Sequence, residues 1–443
     1  MIAESRIWRL ALLAMVVLVL VVSAGCIGNT LVSNRDIVVL KLSPDGSLAW
    51  TKVVDNGFDD MAEDLVELPG GGYALAGQTA NGPQNADGHL VPPRPVLIRL
   101  SPDGSVASQW FVPDEVGVAR AVALADGGGA AVLTGNSTVV RFSPDGQVLW
   151  ARPSGISEAH TLVRTANGGF LAGGQSGYLP VSGTAGPGTV PQAVIITESS
   201  PGGPMLPQAA EPVTSLTTLP RTRPGGGLQK AMVVSLAPGG AIEWEGQYDD
   251  GGLVLLQSLA PDPDRTGSLV VGYGASSDPG DYLYPRLALR LGPDGAPSSV
   301  TQIGSATAMD SIWTRADVTG YRVLYRNSSL TERGFYDGRV VDVTLDRDGH
   351  ELERRSIDAS IAVTWTAEGG YFSVGAPIGG RETGYDTVIY DPTGGTTFHA
   401  RRFDDTGALI FDRALPALPL DQVLKVVQTA DGGFAVLAYK NSK

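Results

Sequence analysis

The stretch Val38–Trp50, VVLKLSPDGSLAW, holds an apolar segment, a Ser-Pro-Asp-Gly turn and a second segment ending in Trp. Pro presets φ at the second position of a β-turn, Asp bonds to the local backbone, and Gly takes the position with φ > 0. Apolar residues alternating on both sides of such a turn predict a β-hairpin. The pattern recurs at Val96–Trp110, Val139–Trp150, Met232–Trp244, Ala288–Val300, Val341–Glu353 and His399–Phe411. A repeat of this kind outranks other signals when a fold is predicted.

A second type of hairpin, with Gly-Gly or a related turn, follows each copy of the first. Its copies are Asp64–Gln78, Ala121–Gly135, Thr161–Gly174, Leu256–Gly274, Ile312–Tyr325, Thr364–Gly375 and Val426–Tyr439. Two hairpins give the four strands of a propeller blade. The repeat starts with one half-blade (Asp36–Val54) and ends with the other (Gln422–Tyr439), and their pairing would remove exposed sheet edges. The sequence therefore predicts an all-β protein, a seven-bladed β-propeller of four-stranded blades over residues 36–443, closed by pairing of its N- and C-terminal hairpins.

The spacing of the repeats leaves one alternative open. Successive turn glycines lie 42 to 58 residues apart, except for 94 between Gly146 and Gly240. This gap contains the Pro-, Gly-, Ser- and Thr-rich residues 176–229, in which Ala193–Gly203 imitates a first-hairpin strand and turn. We interpret residues 176–229 as a loop insertion, with an eighth blade as the less favoured alternative.

The connections differ in length according to the face of the disc on which they are expected. Turns within hairpins are short, whereas connections from a second hairpin to the next first hairpin vary widely. Insertions confined to one face of a repeat fold often mark the binding surface. Aromatic residues in these connections and acidic pairs between blades define the candidate binding face, which comprises Tyr282, Tyr284, Phe335, Tyr336, Tyr385, Tyr390, Asp59, Asp60, Asp249 and Asp250.

The N-terminal segment has the pattern of a secretory signal. Arg6 and Arg9 precede the apolar run Leu10–Val22, and small residues precede Cys26, the only cysteine. The run of 13 residues is shorter than the roughly 20 needed for a helix that spans a bilayer. We predict a lipoprotein-type signal peptide at 1–25, lipid attachment at Cys26 and a tether at 26–35. An uncleaved anchor helix and simple secretion are the alternatives.

Composition and motifs exclude several classes of function. A net charge of −14 argues against nucleic-acid binding, and a single cysteine excludes an intrachain disulfide or cysteine-based metal site. Asp346–Gly349 slightly resembles a calcium loop, but it stands where other copies have Ser-Pro-Asp-Gly, and the turn interpretation is favoured. His89, His160, His350 and His399 lack metal-ligand spacing, and we find no sequence motif for a nucleophile elbow or a zinc protease. We therefore predict no catalytic residues, no metal and no cofactor.

Two further sets of residues are assigned from their positions in the repeat. Trp50, Trp110, Trp150 and Trp244 share one repeat position, with Phe411 standing in once, and this recurrence predicts a packing role. The sequons that begin at Asn136 and Asn327 are possible N-glycosylation sites.

The order strand, Pro-Asp-Gly, Trp and then Gly-Gly-aromatic is similar to repeat propellers of prokaryotic envelope lipoproteins. It also resembles, more distantly, the quinoprotein-type propeller superfamily. The small residues before Cys26 resemble a lipobox, although Ser23 stands where that motif usually has Leu. The resemblance implies an anchored extracytoplasmic protein but no quinone cofactor, because the adjacent cysteines and the Gly-Lys…Trp signature of the quinoproteins are missing.

Together these observations predict a scaffold that binds a protein partner of the cell envelope and is held at the membrane by a lipid anchor. A glycan-binding or glycan-active surface protein is the alternative, because acidic and aromatic residues at a propeller mouth suit sugars. An enzyme is the less favoured interpretation.

Overall fold

The computed structural model describes residues 34–57, 59–79, 92–113, 115–176, 230–249, 252–275, 284–306, 312–327, 339–359, 362–375, 381–383, 388–390, 397–416 and 420–442. These residues form seven four-stranded antiparallel sheets, which are the blades of a β-propeller, and one short extra hairpin. The predicted fold class and number of blades are confirmed. Within the described residues the one helical element is a 3₁₀ turn at Asp126–Gly128, and no helix there is long and apolar enough to cross a membrane.

The first strands of the chain belong to the blade that closes the ring. They are β1 (Asn34–Leu42) and β2 (Leu48–Val54). Blade 1 consists of β3 (Met61–Glu67), β4 (Tyr73–Thr79), β5 (Arg94–Leu100) and β6 (Val106–Phe111). Blade 2 consists of β7 (Ala119–Leu124), β8 (Ala130–Thr134), β9 (Thr138–Phe142) and β10 (Val148–Pro153). Blade 3 consists of β11 (Glu158–Arg164), β12 (Phe170–Ser176), β13 (Lys230–Leu236) and β14 (Ile242–Tyr248).

The second half of the chain repeats this order. Blade 4 consists of β15 (Leu253–Pro261), β16 (Ser268–Gly274), β17 (Tyr284–Leu291) and β18 (Pro297–Ala306). Blade 5 consists of β19 (Ile312–Ala316), β20 (Gly320–Asn327), β21 (Arg339–Asp346) and β22 (Glu351–Ile357). Blade 6 consists of β23 (Ala362–Trp365), β24 (Tyr371–Gly375), β27 (His399–Phe403) and β28 (Leu409–Ala414), with β25 (Arg381–Thr383) and β26 (Val388–Tyr390) as an added hairpin. Blade 7 consists of β29 (Gln422–Gln428), β30 (Phe434–Ser442), β1 and β2.

Closure of the ring depends on the pairing of β1 with β30. Nine residue pairs join them, from Asn34 opposite Ser442 to Leu42 opposite Phe434. The predicted closure by terminal hairpins is confirmed, and the first strand begins two residues before the predicted start at Asp36. The alternative of eight blades is wrong, because β12 pairs directly with β13 and residues 177–229 therefore connect two strands of one blade.

The apolar core is divided into seven clusters, one between each pair of neighbouring blades. Strand β30 shows how one strand serves two of them. Phe434 and Val436 face blade 6, whereas Ala435 and Leu437 face blade 1, and all four are fully buried. Side chains of a strand alternate between faces, so a strand buried on both faces is apolar throughout.

The repeated tryptophans pack across the junctions between blades. The Trp150 ring lies over Gly240 in the next blade, and its Nε1–H donates to the carbonyl of Pro238 at 3.0 Å. A Cβ at Gly240 would lie 2.7 Å from this ring and would clash with it. The φ of +83° at Gly240 also favours Gly, so both the space and the backbone conformation require it. The equivalent pairs are Trp50–Gly104, Trp110–Gly146, Trp150–Gly240, Trp244–Gly295 and Phe411–Gly46. The predicted packing role is confirmed, although Trp110, opposite Leu97, lies two residues further along its strand than the other tryptophans. We call these pairs the aromatic latches.

We expect Trp150→Ala to lower the free energy of unfolding by about 3 kcal/mol, near the lower end of the range for large aromatic residues because Trp150 is only half-buried. Urea denaturation measures this loss. Leu149→Ala, at an exposed neighbour in the same strand, is the matched control and should change stability by less than about 0.5 kcal/mol. Equal midpoints for the two variants would contradict the latch.

Two junctions lack an aromatic latch, because Ser299 and Glu353 occupy the latch position in blades 4 and 5. Between blades 4 and 5, Asp262 accepts hydrogen bonds from Arg290 Nη2 at 2.6 Å and from the Tyr321 hydroxyl. Burial, followed by the hydrogen bond to Asp262, raises the pKa of Tyr321, which therefore stays protonated and donates. This buried polar cluster replaces the latch at the junction.

The junction between blades 5 and 6 carries a second buried polar cluster. Asp342 is ion-paired with Arg322, and it accepts a hydrogen bond from the Tyr371 hydroxyl at 2.6 Å. Arg322 Nη2 also donates to the Tyr371 oxygen at 2.8 Å. Burial, followed by the hydrogen bond to Asp342, raises the pKa of Tyr371. We call these three residues the Asp342 cluster.

Candidate functional site

The predicted sorting of connections by face is confirmed by the strand register. The variable connections of blades 1, 3, 4, 5 and 6 each begin and end at neighbouring strand ends on the same rim of the disc. The paired ends are Thr79–Arg94, Ser176–Lys230, Tyr273–Arg286, Asn327–Arg339 and Gly375–His399. We call this rim the loop face, and the opposite rim with the Pro-Asp-Gly and Gly-Gly turns the turn face.

Most aromatic residues of the candidate binding face lie beyond the described part of the chain. These aromatic residues are Tyr282, Phe335, Tyr336 and Tyr385. Asp250 and the predicted lipid-attachment residue Cys26 also lie outside the described residues. Tyr390 is placed only by its backbone, as the last residue of β26. Tyr284 begins β17 opposite Ala306, and its ring packs partly against the core between blades 4 and 5. Their assignment to a common surface stays a prediction.

The acidic pair Asp59 and Asp60 lies on the loop face, but the two carboxylates have different surroundings. Asp59 binds the Arg35 guanidinium with two contacts of 2.7 Å. The Asp60 side chain is fully buried and accepts hydrogen bonds from the backbone and side-chain amides of Asn56, and burial raises its pKa. Asp60 therefore lies inside the disc rather than on a binding surface, which corrects the prediction for this residue.

Asp249 and the sequons are the remaining predicted surface residues. Asp249 is about half exposed and ion-paired with Lys230 at 2.9 Å, and this hydrogen bond lowers the pKa of the carboxyl group. Asn136 is exposed on the loop face, in the short connection between β8 and β9, where its side chain donates to the carbonyl of Val116. Asn327 is placed by its backbone as the last residue of β20. Glycosylation stays a prediction at both positions.

A central channel of about 900 Å³ runs between the innermost strands β3, β7, β11, β15, β19, β23 and β29. Four of these strands carry a single one-residue register shift near the loop face, and β15 carries two such shifts. A β-bulge leaves its extra residue out of the ladder and redirects the side chain. The extra residues of the four single shifts are Glu63, Arg120, His160 and Leu424, and all four line the channel. Blades 7, 1, 2 and 3 thus place one bulge residue each at the loop-face end of the channel.

Ion pairs join the charged residues of the channel across neighbouring blades. Arg120 Nη1 lies 3.4 Å from Glu63 Oε1, which links blades 2 and 1. Asp64 is ion-paired with Lys425 of blade 7 and accepts a hydrogen bond from the backbone N–H of Val122 in blade 2. The channel wall is therefore polar but largely neutralised, and these contacts also hold three blades together.

His160 differs from its charged neighbours. Its pKa is lowered, mainly because burial disfavours the imidazolium, and the nearby Arg120 adds to this effect while Glu158 opposes it. Its Nε2 atom is buried without a hydrogen-bond partner in the described structure. Burial therefore favours the neutral form of this imidazole, which lines the channel near Arg120 and Glu158.

The turn that slightly resembles a calcium loop has a structural explanation. Donor atoms of Asp346, Asp348 and His350 lie within 4.8 Å of one another. However, Asp346 Oδ1 already accepts hydrogen bonds from the N–H groups of Asp348 and His350 at 2.9 and 2.8 Å. A carboxylate that caps its own turn in this way is typical of Asp in turns, so the predicted turn is confirmed.

The bulge residues were missed from the sequence, although a signal exists. A regular inner strand would bury residues at spacings of two, whereas these strands bury Ala62 and Leu65, which are three apart. The same spacing occurs at Ala159–Leu162 and Val423–Val426, and Ala119 and Val122 show it with Ala121 also buried between them. An apolar spacing of three at the start of an inner strand therefore marks the residues that face the channel.

Comparisons with known proteins found similar β-propeller structures but no match to a protein family or a curated sequence. Among solved structures, the chain is similar to the WD40 β-propeller domain of Doa1, with 9% identity, a TM-score of 0.46, and coverage of 87% of this chain and 95% of that chain. It is also similar to the Cps50 (Swd1) β-propeller domain of Myceliophteria thermophila, with 8% identity, a TM-score of 0.43, and coverage of 85% and 96%.

Proposed function

We propose that this protein is a propeller scaffold of the cell envelope that binds a protein partner through its loop face and is held at the membrane by a lipid on Cys26. The observation that carries this proposal is the confinement of the variable connections to paired strand ends on one rim. Recognition residues are commonly placed on loops that a rigid scaffold positions. Such connections can change in length and sequence without disturbing the blades.

The state of the charged residues in the channel supports binding rather than catalysis. A general acid or base acts through a group that reaches the substrate with a suitable pKa. Glu63 and Asp64 instead contact Arg120 and Lys425, and these pairs connect neighbouring blades. These contacts support a structural role for Glu63 and Asp64 in the wall of the channel.

A glycan-binding protein is the second candidate, because the channel has aromatic as well as acidic lining. Trp313 and Trp365 line it together with Glu63 and Asp64. Its volume of about 900 Å³ lies within the range of small-molecule sites. A short sugar chain that entered from the loop face would meet these groups.

An affinity capture separates the two candidates. Immobilised Ile27–Lys443 is exposed to detergent-solubilised envelope, beside a variant with Ala at Tyr282, Phe335, Tyr336, Tyr385 and Tyr390. Tyr284 is varied separately, because its ring is partly packed. The matched control carries Asp103→Asn, Asp145→Asn and Asp294→Asn on the turn face, where these carboxylates are exposed.

Each result of the capture has a defined meaning. A protein retained by the native chain and the turn-face control, but lost by the aromatic variant, supports the scaffold. Retained polysaccharide supports the glycan alternative. Equal retention by all three proteins contradicts recognition through the aromatic residues of the loop face.

The anchor has a test of its own. Mass spectrometry of the protein from membranes should show a lipid on Cys26 as the first residue, and Cys26→Ser should leave the membrane fraction. An unmodified cysteine, or an intact N-terminus that begins at Met1, contradicts the lipid anchor.

A further inference from the structure

The direction in which the chain enters the disc is fixed at the loop face. Asn34, the first residue of β1, pairs with Ser442 at that rim. Arg35 is held there by its two contacts with Asp59, and its carbonyl accepts a hydrogen bond from the N–H of Asp60 at 2.7 Å. The entry point is thus tied to the connection between blades 7 and 1 and does not swing freely.

The chain before this point is short. Cys26 lies eight residues before Asn34. An extended chain spans at most about 3.6 Å per residue, so this segment reaches about 29 Å. With Cys26 at a bilayer surface, the entry point on the loop face must lie within that distance of the membrane.

The inverted orientation needs more chain than is present. Strand β1 is the second strand from the outside of blade 7, with β2 beyond it. To bring the turn face to the membrane, the tether would have to pass β2 and then run down the blade. Passing β2 takes roughly 5 Å at the usual strand spacing, and the nine residues of β1 add roughly 30 Å of blade length. The sum exceeds the reach of the tether.

The distribution of carboxylates on the two faces favours the same orientation as the length of the tether. Six of the seven repeated turns expose a carboxylate on the turn face, at Asp45, Asp103, Asp145, Asp294, Asp348 and Asp405, and of these Asp45 is ion-paired with Arg413. On the loop face Asp59, Asp36 and Asp249 are ion-paired with Arg35, Lys440 and Lys230, whereas Asp55, Asp358 and Asp421 are exposed without an ion pair in the described structure. A bilayer that contains anionic lipids repels negative charge within about a Debye length, roughly 8–10 Å. The repetition of an exposed Asp in six of seven blades makes the turn face the less suitable neighbour for such a surface.

We propose that the disc is held with its loop face toward the membrane and its acidic turn face toward the aqueous compartment. This orientation rests on the proposed anchor at Cys26. The partner of the loop face is then a membrane protein, whose segment outside the bilayer lies in the gap that the tether spans. A soluble partner would have access to the turn face and to the outer strands.

Energy transfer to a lipid dye tests the orientation. Lipidation blocks the thiol of Cys26, so a single introduced cysteine can be labelled selectively on the full lipoprotein in phosphatidylcholine–phosphatidylglycerol vesicles. Asn136→Cys and Asp358→Cys report on the loop face, whereas Gln147→Cys and Asp348→Cys report on the turn face of the same two blades. All four positions are exposed.

We expect transfer about twofold more efficient from the loop-face labels than from the turn-face labels, because roughly 20 Å of strand separates them. Equal or reversed transfer from a protein whose Cys26 carries lipid overturns the orientation alone. Absence of lipid on Cys26 overturns the anchor as well. Vesicles without phosphatidylglycerol show the part played by charge, since the tether acts in both.

Discussion

Removal of Gln422–Lys443 is expected to abolish the cooperative unfolding transition of the whole ring. The deletion takes away β29 and β30, and with them the nine residue pairs that join β30 to β1. It also removes Phe434 and Val436 from the core between blades 6 and 7, and Leu437 from the core between blades 7 and 1. Loss of buried side chains of this size costs about 2–5 kcal/mol each, against a typical total stability of about 5–15 kcal/mol.

Thermal unfolding followed by circular dichroism measures this effect, with a circular permutant as the matched control. The permutant begins at Leu420, joins Ser442 to Asn34 by a short turn, and ends at Pro416. It keeps both halves of blade 7, because Asn34 and Ser442 are paired neighbours on adjacent strands. We expect the permutant to melt cooperatively near the temperature of the native chain. A truncated protein with a native melting curve would show that the seam is dispensable.

Substitution of Asp342 by Ala is expected to lower the free energy of unfolding by about 3–5 kcal/mol, the cost of leaving a buried charge without its partner. Asp342 is 3% exposed, and its removal leaves Arg322 and the Tyr371 hydroxyl without their shared acceptor. The junction between blades 5 and 6 has no aromatic latch to compensate. Urea denaturation with an unchanged slope would identify the effect as a change in stability.

Asp358→Ala provides the control for Asp342→Ala, since Asp358 is an exposed residue of the same blade. It should change stability by less than about 0.5 kcal/mol. A double-mutant cycle of Asp342→Ala with Tyr371→Phe should give a coupling energy of about 0.5–3 kcal/mol. Additive effects, or a loss below 1 kcal/mol for Asp342→Ala, would refute the role of the Asp342 cluster.

The repeated turns could be predicted because their causes lie within a few residues. The backbone N–H of Ser43 donates to the carbonyl of Ser47 and closes the first turn, and Pro44, Asp45 and Gly46 between them set its geometry. Seven copies of a local pattern then indicated seven blades. The closure followed from the same reasoning, because each end of the repeat carried only half a blade.

The contacts between blades could not be predicted in the same way. Trp50 packs over Gly104, and Asp262 binds both Arg290 and Tyr321, so the partners are separated by 28 to 59 residues. Recurrence of Trp showed that it packs but did not identify the surface it meets. The burial of Asp60 was missed for a different reason, because its partner Asn56 is only four residues away but the sequence of this connection does not show that it places the carboxylate inside the disc.

The channel residues could be predicted from the sequence only in part. Glu63, Arg120 and His160 occupy equivalent bulges in successive blades, and the altered spacing of buried residues marks each bulge in the sequence. Which side chains then meet across the channel depends on the radius of the ring. A seven-bladed ring brings Arg120 to Glu63 and Lys425 to Asp64. The radius of the ring cannot be derived directly from the sequence.

The seam between β1 and β30 also determines the order of events as the chain is made. Asn34 must wait for Ser442, which is 408 residues later, before its strand has a neighbour on that side. Pairings between such distant residues form slowly, because the entropy of closing a large loop is lost before stabilising contacts form. The first hairpin therefore remains an open half-blade until the last hairpin has been synthesised. A nascent chain therefore carries an unpaired strand edge on β1, which can pair with other chains, until the end of its synthesis.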